Sequence, residues 1–505
     1  MSQIPSYVTA VPDGTETGLY LAVDLGGTNL RVCSVDLHGD TTFTINQCKV
    51  AVPPRLMTAD TAAELFAFLA EQLDLFLQQH HEDMLRTYRA KKAAISATGH
   101  GFDYKDSLFL GFTFSFTFEQ EALDRGTMLR WTKGFNIPDA MGRDICEMFQ
   151  TEIDRLNLPV KVVALVNDTV GTLLARSYTS PGNSKTLLGA IFGTGTNGAY
   201  VEKTQDITKL DPVHQERSQE MILNTEWGSF DNELLVLPNT SYDEEVDRES
   251  VHPGIQLFEK RTSGMYLGEV LRHVLLAMAS VTPSIAATGL SRLNNKSAID
   301  ASFLSMAASD NSDSLTILRK HLKDSLDIDS GKDVAEAVKI LALAIGRRAA
   351  RLAGVAVAGV VVKSGRLSTR AVSESAKGHS NIVVLESDLE SGINSGNSGK
   401  ILNPITLLYR YFISILGSWT SWLFGSSTYQ SRIEELGIID VGVSGSLIEF
   451  YPGFEEIARS TLRDIEEIGS AGERRIRIGI ARDGSGVGAA LAARMAEQAR
   501  GRDIR

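Results

Sequence analysis

Cysteine is scarce in this chain. It has three in 505 residues, Cys33, Cys48 and Cys146, and no C-x-x-C pair. That excludes a disulfide framework and a cysteine-built zinc site, and it fits a reducing compartment. A basic excess is also missing. The formal net charge is −12, whereas a general nucleic-acid binder needs a basic stripe. The N-terminal stretch MSQIPSYVTAVPDGTETG has neither a basic flank nor an apolar core, so it does not read as a secretory signal. A hydrophobic share of 43% and a charged share of 22% are ordinary for a globular protein. The length exceeds what one core usually supports, so two domains of a soluble, cytoplasmic protein are the expectation.

What is present is a rhythm of strands, glycine turns and helices. Residues 19–37, LYLAVDLGGTNLRVCSVDL, read as strand, turn and strand, because β-branched and apolar residues flank a turn that glycine tolerates best. Residues 59–79 predict a helix, with Leu65, Phe66, Leu69, Leu73, Phe76 and Leu77 at three- and four-residue spacing. Strands are expected around 93–98, 108–116 and 160–166, and a helix near 139–156. TLLGAIFGTGTNGAYVE is a second strand, turn and strand. The two hairpins align through Gly27-Thr28-Asn29 and Gly195-Thr196-Asn197, which suggests a duplicated α/β unit. The second half is more helical, and the chain ends in two strand-and-glycine-turn units, IIDVGVSGSLIEFYPGF and IRIGIARDGSGVGAALAARMAEQA.

One segment breaks this rhythm. From about 367 to 432 the composition shifts to Ser, Gly and Asn and then to the apolar run ILNPITLLYRYFISILGSWTSWLFG. A membrane span needs roughly 20 apolar residues. A single crossing, however, would put two parts of one folded unit on opposite sides, and Pro404, Arg410 and several serines interrupt the run. The segment reads as an insertion: a surface excursion, an interfacial hairpin, or translated sequence that the mature protein lacks.

The stretch VALVNDTVGTLL, residues 163–174, ends a buried strand in Asn167 and Asp168. Either Asp168 caps the following helix, or the strand end presents a carboxylate to a cleft, where open α/β sheets bind ligands. The glycine turns bear on this choice. Without side chains, such turns let backbone N–H groups approach phosphate oxygens. Two facing turns could hold one nucleotide from both sides, with Thr28, Thr194 and Thr196 adding hydroxyls. Asp24 is suited to orient a hydrated Mg²⁺, which prefers oxygen ligands and keeps several waters. Neither turn matches G-x-x-x-x-G-K-[ST], so a P-loop fold is not expected.

The ordered motifs LAVDLGGTNLRV, LGFTFSF, LRWTKGF, VNDTVGTLL, FGTGTNGAY, NTEWGSFDNE and FEKRTSGMYLGEVLR resemble those of eukaryotic hexokinases, most closely the fungal glucokinase branch. The resemblance covers nearly everything except the N-terminal tail and the insertion. It implies the actin-like ATPase (ribonuclease H-like) fold, two α/β domains closing on a sugar and MgATP. The expected small domain is 15–166 plus 484–505, and the large domain is 167–483. It implies ATP-dependent phosphorylation of glucose at the 6-hydroxyl, with Asp168 as general base and Lys133 assisting. Ser115, Thr132, Lys133, Asn167, Asp168, Asn197, Glu226 and Glu259 would line the sugar pocket. Asp24, Gly26, Gly27, Thr28, Asn29, Arg31, Thr194, Gly195, Thr196, Gly445 and Ser446 would line the nucleotide site. The chain departs from the family pattern at Ser444, where Asp is usual, and at Thr117, where Pro is usual. Taken singly, these side chains have plainer readings: Glu226 as a surface carboxylate, Glu259 paired with Lys260 or Arg261, Lys133 as a solvated loop charge. A second reading of the whole is a hexokinase-like sugar sensor or interaction protein whose insertion blocks nucleotide binding. A monomer or homodimer without stable membrane insertion is expected.

Overall fold

The structure is a computed structural model describing residues 3–98, 107–180, 185–279, 290–367 and 437–503. The segment read as an insertion lies outside the described residues except for Leu367. The chain opens with a two-residue strand, β1 (Ile4–Pro5), and continues through β2 (Thr17–Leu25), β3 (Asn29–His38) and β4 (Phe43–Ala51). Helices Ala62–His80 and Glu82–Thr98 precede β5 (Leu108–Phe114), the hairpin β6 (Thr117–Ala122) and β7 (Arg125–Arg130), helix Ile145–Arg155 and β8 (Val160–Val166). Then follow β9 (Thr186–Phe192), β10 (Thr196–Lys203), β11 (Glu220–Asn224), β12 (Ile439–Ser444) and β13 (Ile476–Ile480). The helices of this half include Asp168–Thr179, Gly264–Ala279, Lys332–Lys363 and Gly484–Asp503.

These strands form two main sheets of the same plan. One has the order β4-β3-β2-β5-β8 and the other β1-β11-β10-β9-β12-β13. In the first, β2, β3 and β4 are antiparallel neighbours while β2, β5 and β8 run parallel. In the second, β9, β10 and β11 are antiparallel while β9, β12 and β13 run parallel. The repeat that two short turns suggested therefore extends to whole sheets. Helices Asp168–Thr179 and Gly484–Asp503 cross where a Cβ on Gly488 would lie 2.2 Å from the Cα of Gly171. They share one apolar cluster with residues of both sheets, among them Tyr20, Ala22, Ala199 and Ile222.

Residues 93–98 are not a strand. They finish the Glu82–Thr98 helix, as the Ala-rich run KKAAISAT favours, since alanine is the strongest helix former. The helix expected near 139–156 starts at Ile145, because Asp144 caps it by accepting from the Glu147 N–H at 2.7 Å. The β6–β7 hairpin was not anticipated. It carries Thr117, whose backbone pairs with Arg130 where a proline would interrupt the ladder.

Candidate active site

Between the two glycine hairpins lies a cleft of about 1520 Å³, lined by every site residue singled out from the sequence. The stretch that opened the question resolves cleanly. Asn167, not Asp168, is the N-cap: its Oδ1 accepts from the Thr169 N–H at 2.9 Å and from the Thr169 hydroxyl at 2.6 Å. Asp168 is the first residue of the helix, so its carboxylate is released to the cleft wall. Burial pushes its carboxyl up. The charge of Asp24 adds to this, while Lys133 and a bond from Ser115 oppose it.

Part of the cleft lining is a connected polar set. Asn197 Nδ2 donates to Glu226 Oε1 at 3.2 Å and to Asn224 Oδ1 at 2.9 Å, and lies 3.5 Å from Asn167 Oδ1. Asn224 Nδ2 also donates to Glu226 Oε1, at 2.8 Å. Glu226 adopts a left-handed backbone, φ 49°, which turns it into this set rather than out to solvent. Glu259 Oε2 accepts from the Thr196 N–H at 3.1 Å. It has no ion pair with its neighbours. Lys260 binds Asp247 at 2.6 Å, and Arg261 donates to the carbonyls of Pro238 and Leu257. Burial, with the Glu226 charge nearby, pushes the Glu259 carboxyl up to about 7. Burial also raises Glu226, reinforced by Asp168 and opposed by Asn224 and Asn197. Ser115 and Thr132 line the same cleft. Lys133 is exposed but lies over the first glycine turn, its Nζ 3.4 Å from the Gly26 carbonyl and 5.7 Å from the Phe116 ring centre.

The cleft lining also joins Gly26, Gly27, Thr28 and Asn29 of one turn to Thr194 and Gly195 of the other. Gly27 has φ 130°, a conformation that a side chain would oppose. Gly445 (φ 115°) lies so close to the second turn that a Cβ would sit 2.6 Å from the Phe192 carbonyl. Its N–H donates to Glu449 at 3.0 Å, and Ser446 follows on the cleft rim. Thr196 is more occupied than the sequence suggests: its N–H serves Glu259 and its hydroxyl accepts from Trp227 Nε1 at 3.1 Å. Asp24 Oδ2 accepts from Ser485 at 2.7 Å and Arg31 at 3.1 Å, and Arg31 also bridges to Asp483 at 2.8 Å. Asp24 Oδ1 is buried without a partner among the described residues. A free carboxylate oxygen beside a glycine turn suits a hydrated divalent cation.

Three of these residues lie in motifs quoted from the sequence but were not singled out there as site residues. Asn224 is two positions before Glu226 in the quoted motif, and that spacing on a strand was its signal. Asp483 and Ser485 come from the far end of the chain, and no local pattern connects them to Asp24.

A sheet plan repeated twice around a cleft, with a carboxylate at a strand end and a glycine turn on each side, defines the actin-like class of kinase fold. Comparison with known proteins agrees. Two hexokinase family models match, one over residues 1–178 and one over 187–389 and 413–495. Of the segment read as an insertion, the second match leaves out 390–412 and includes 367–389 and 413–432. The chain is 46% identical to a glucokinase of Aspergillus niger over 99% of its length and 90% of that protein. It is 36% identical to glucokinase-1 of Saccharomyces cerevisiae, covering 98% and 88% respectively. A solved hexokinase from Schistosoma mansoni, complexed with glucose, superposes with a TM-score of 0.68 at 30% identity, over 97% of this chain and 88% of that one. The chain belongs to the hexokinase family and is an enzyme of the hexokinase/glucokinase type.

Proposed function

We propose that the protein transfers the terminal phosphoryl group of ATP to the 6-hydroxyl of glucose, and of related hexoses such as mannose, as the entry step of glycolysis. The observation that supports it most is the meeting of Asp168, Glu226, Glu259 and Asn197 in one cleft with a glycine turn on either side. A hexose is a ring of hydroxyls, and each buried hydroxyl needs a partner. Glu226, Glu259, Asn167 and Asn197 supply fixed acceptors and donors, with Ser115, Thr132 and Lys133 in the same cleft. Asp168 accepts the 6-hydroxyl proton as the new P–O bond forms, a contribution of about 10²–10⁴ in rate.

Gly26, Gly27, Thr28, Asn29, Thr194, Gly195 and Thr196 cradle the triphosphate, and Gly445 and Ser446 carry the adenosine end. Asp24, held by Arg31 and Ser485, would hold the magnesium of MgATP through its unpartnered carboxylate oxygen. The ion supplies charge neutralisation on the transferred group when MgATP is bound. Lys133 adds a positive charge beside it. The lobes 15–166 with 484–505 and 167–483 close on the sugar, which keeps water from taking the phosphoryl group.

We place the protein in the cytoplasm as a monomer or homodimer. No helix among the described residues is long and apolar enough to cross a membrane; the 401–425 apolar run lies outside them. A coupled ADP-release assay on the full-length chain with glucose, mannose and fructose tests the proposal. Sugar-dependent ADP release is expected, whereas a sugar sensor would bind glucose and release none.

A further inference from the structure

The helix that presents Asp168 rests on an unusual floor. Gly189, Gly442 and Gly479 stand in register across β9, β12 and β13. A Cβ on Gly189 would lie 2.4 Å from the Leu173 amide nitrogen. On Gly442 it would lie 2.5 Å from the Arg176 Cβ, and on Gly479 2.3 Å from the Arg176 Cζ. Bare glycines let the helix approach closely, but they offer no side-chain ridge against sliding along its axis. Arg176, near the C-terminal end of that helix, supplies a directional tie. Its Nε donates to Asp440 Oδ2 at 2.9 Å and its Nη2 to Asp440 Oδ1 at 2.6 Å.

Asp440 is fully buried on β12. It also accepts from Arg477 Nε at 2.6 Å and from the Thr186 hydroxyl at 2.8 Å, so each carboxylate oxygen has two donors. A two-pronged bond between a planar guanidinium and a carboxylate fixes direction as well as distance. The strand that holds Asp440 leads directly into the turn of Gly445 and Ser446. One rigid connection thus runs from the base to the strand beneath the nucleotide turn.

We propose that Arg176, through Asp440, is a positioning residue that sets the axial placement of Asp168 relative to the bound nucleotide. This rests on the reading of Asp168 as the base. Arg176→Met keeps most of the side-chain volume while removing the fork, and Arg176→Lys keeps the charge while removing the two-pronged geometry. Near-attack geometry is sensitive enough that a displacement of about 1 Å can cost about a hundredfold. Both variants are expected to lose tenfold or more in kcat, with glucose affinity changed less than about threefold. Rates are measured on folded protein, well below each variant's melting temperature.

The decisive arm is a double-mutant cycle with Asp168→Ala. If Arg176 acts through Asp168, Arg176→Met costs less than about threefold once Asp168 is gone. A loss of the same size in both backgrounds overturns the proposal, as does an unchanged kcat in the folded single variants. If Asp168→Ala alone retains near-normal turnover, the assignment of the base has failed instead.

Discussion

Glu259 and Asp168 both have carboxyls raised by burial, and the Glu259 shift predicts a pH effect. Glu259 is pushed up to about 7. On the proposed assignment its ionised form would accept sugar hydroxyls, so this contribution is complete above that pH and lost as pH falls through it. The KM for glucose is expected to climb below pH 7, by up to about tenfold per unit. Glu259→Gln should flatten the profile, and a KM independent of pH between 5.5 and 8 would contradict the assignment. The same residues show what the sequence revealed and what it hid. Asp168 was legible because an apolar strand ended in an amide and a carboxylate, though it took the structure to give the cap to Asn167. Glu226, Glu259 and Asn197 were legible as motif members. The tie from Asp24 to Ser485, and that from Arg176 to Asp440, join residues hundreds of positions apart, and nothing local marks them.

At the level of elements, the glycine turns were the most readable features, since positive φ at Gly27 and Gly445 leaves few alternatives. The 93–98 segment misled because β-branched Ile95 and Thr98 flank alanines whose helix preference prevailed. The crossing of Gly171 and Gly488 yields a prediction against ordinary helix propensity. Gly→Ala inside a helix usually stabilises it by about 1 kcal/mol. At Gly488 the added methyl would meet the backbone of the partner helix at 2.2 Å. Gly488→Ala is therefore expected to destabilise the fold by about 1–3 kcal/mol, read as a lower denaturant midpoint; a raised midpoint would show that the helices do not touch there.

For the whole molecule, the notable contact is Arg475. It donates to the carbonyls of Leu367 at 2.9 Å, Arg366 at 2.8 Å and Gly437 at 3.2 Å, so one guanidinium holds together both ends of the chain flanking 368–436. Ends that already meet can be joined by a short connection without rearranging what they flank. Replacing 368–436 with a short Gly/Ser linker is expected to leave the melting temperature within a few degrees and kcat within about threefold. A large rise in turnover would mark the segment as inhibitory, and loss of folding would make it part of the core. The two-sheet plan was legible from one repeated Gly-Thr-Asn turn, because each turn needed a strand on either side. The packing of helices between the sheets was not, since it depends on glycines whose partners lie on other elements.

The central claim is that one carboxylate at the strand end removes the sugar proton. The most direct measurement is ADP release by Asp168→Ala at saturating glucose and ATP, alongside glucose binding by calorimetry. The account predicts a kcat lower by about 10²–10⁴ with glucose affinity within a few-fold of the parent. Turnover close to that of the parent, with sugar still bound, would contradict it.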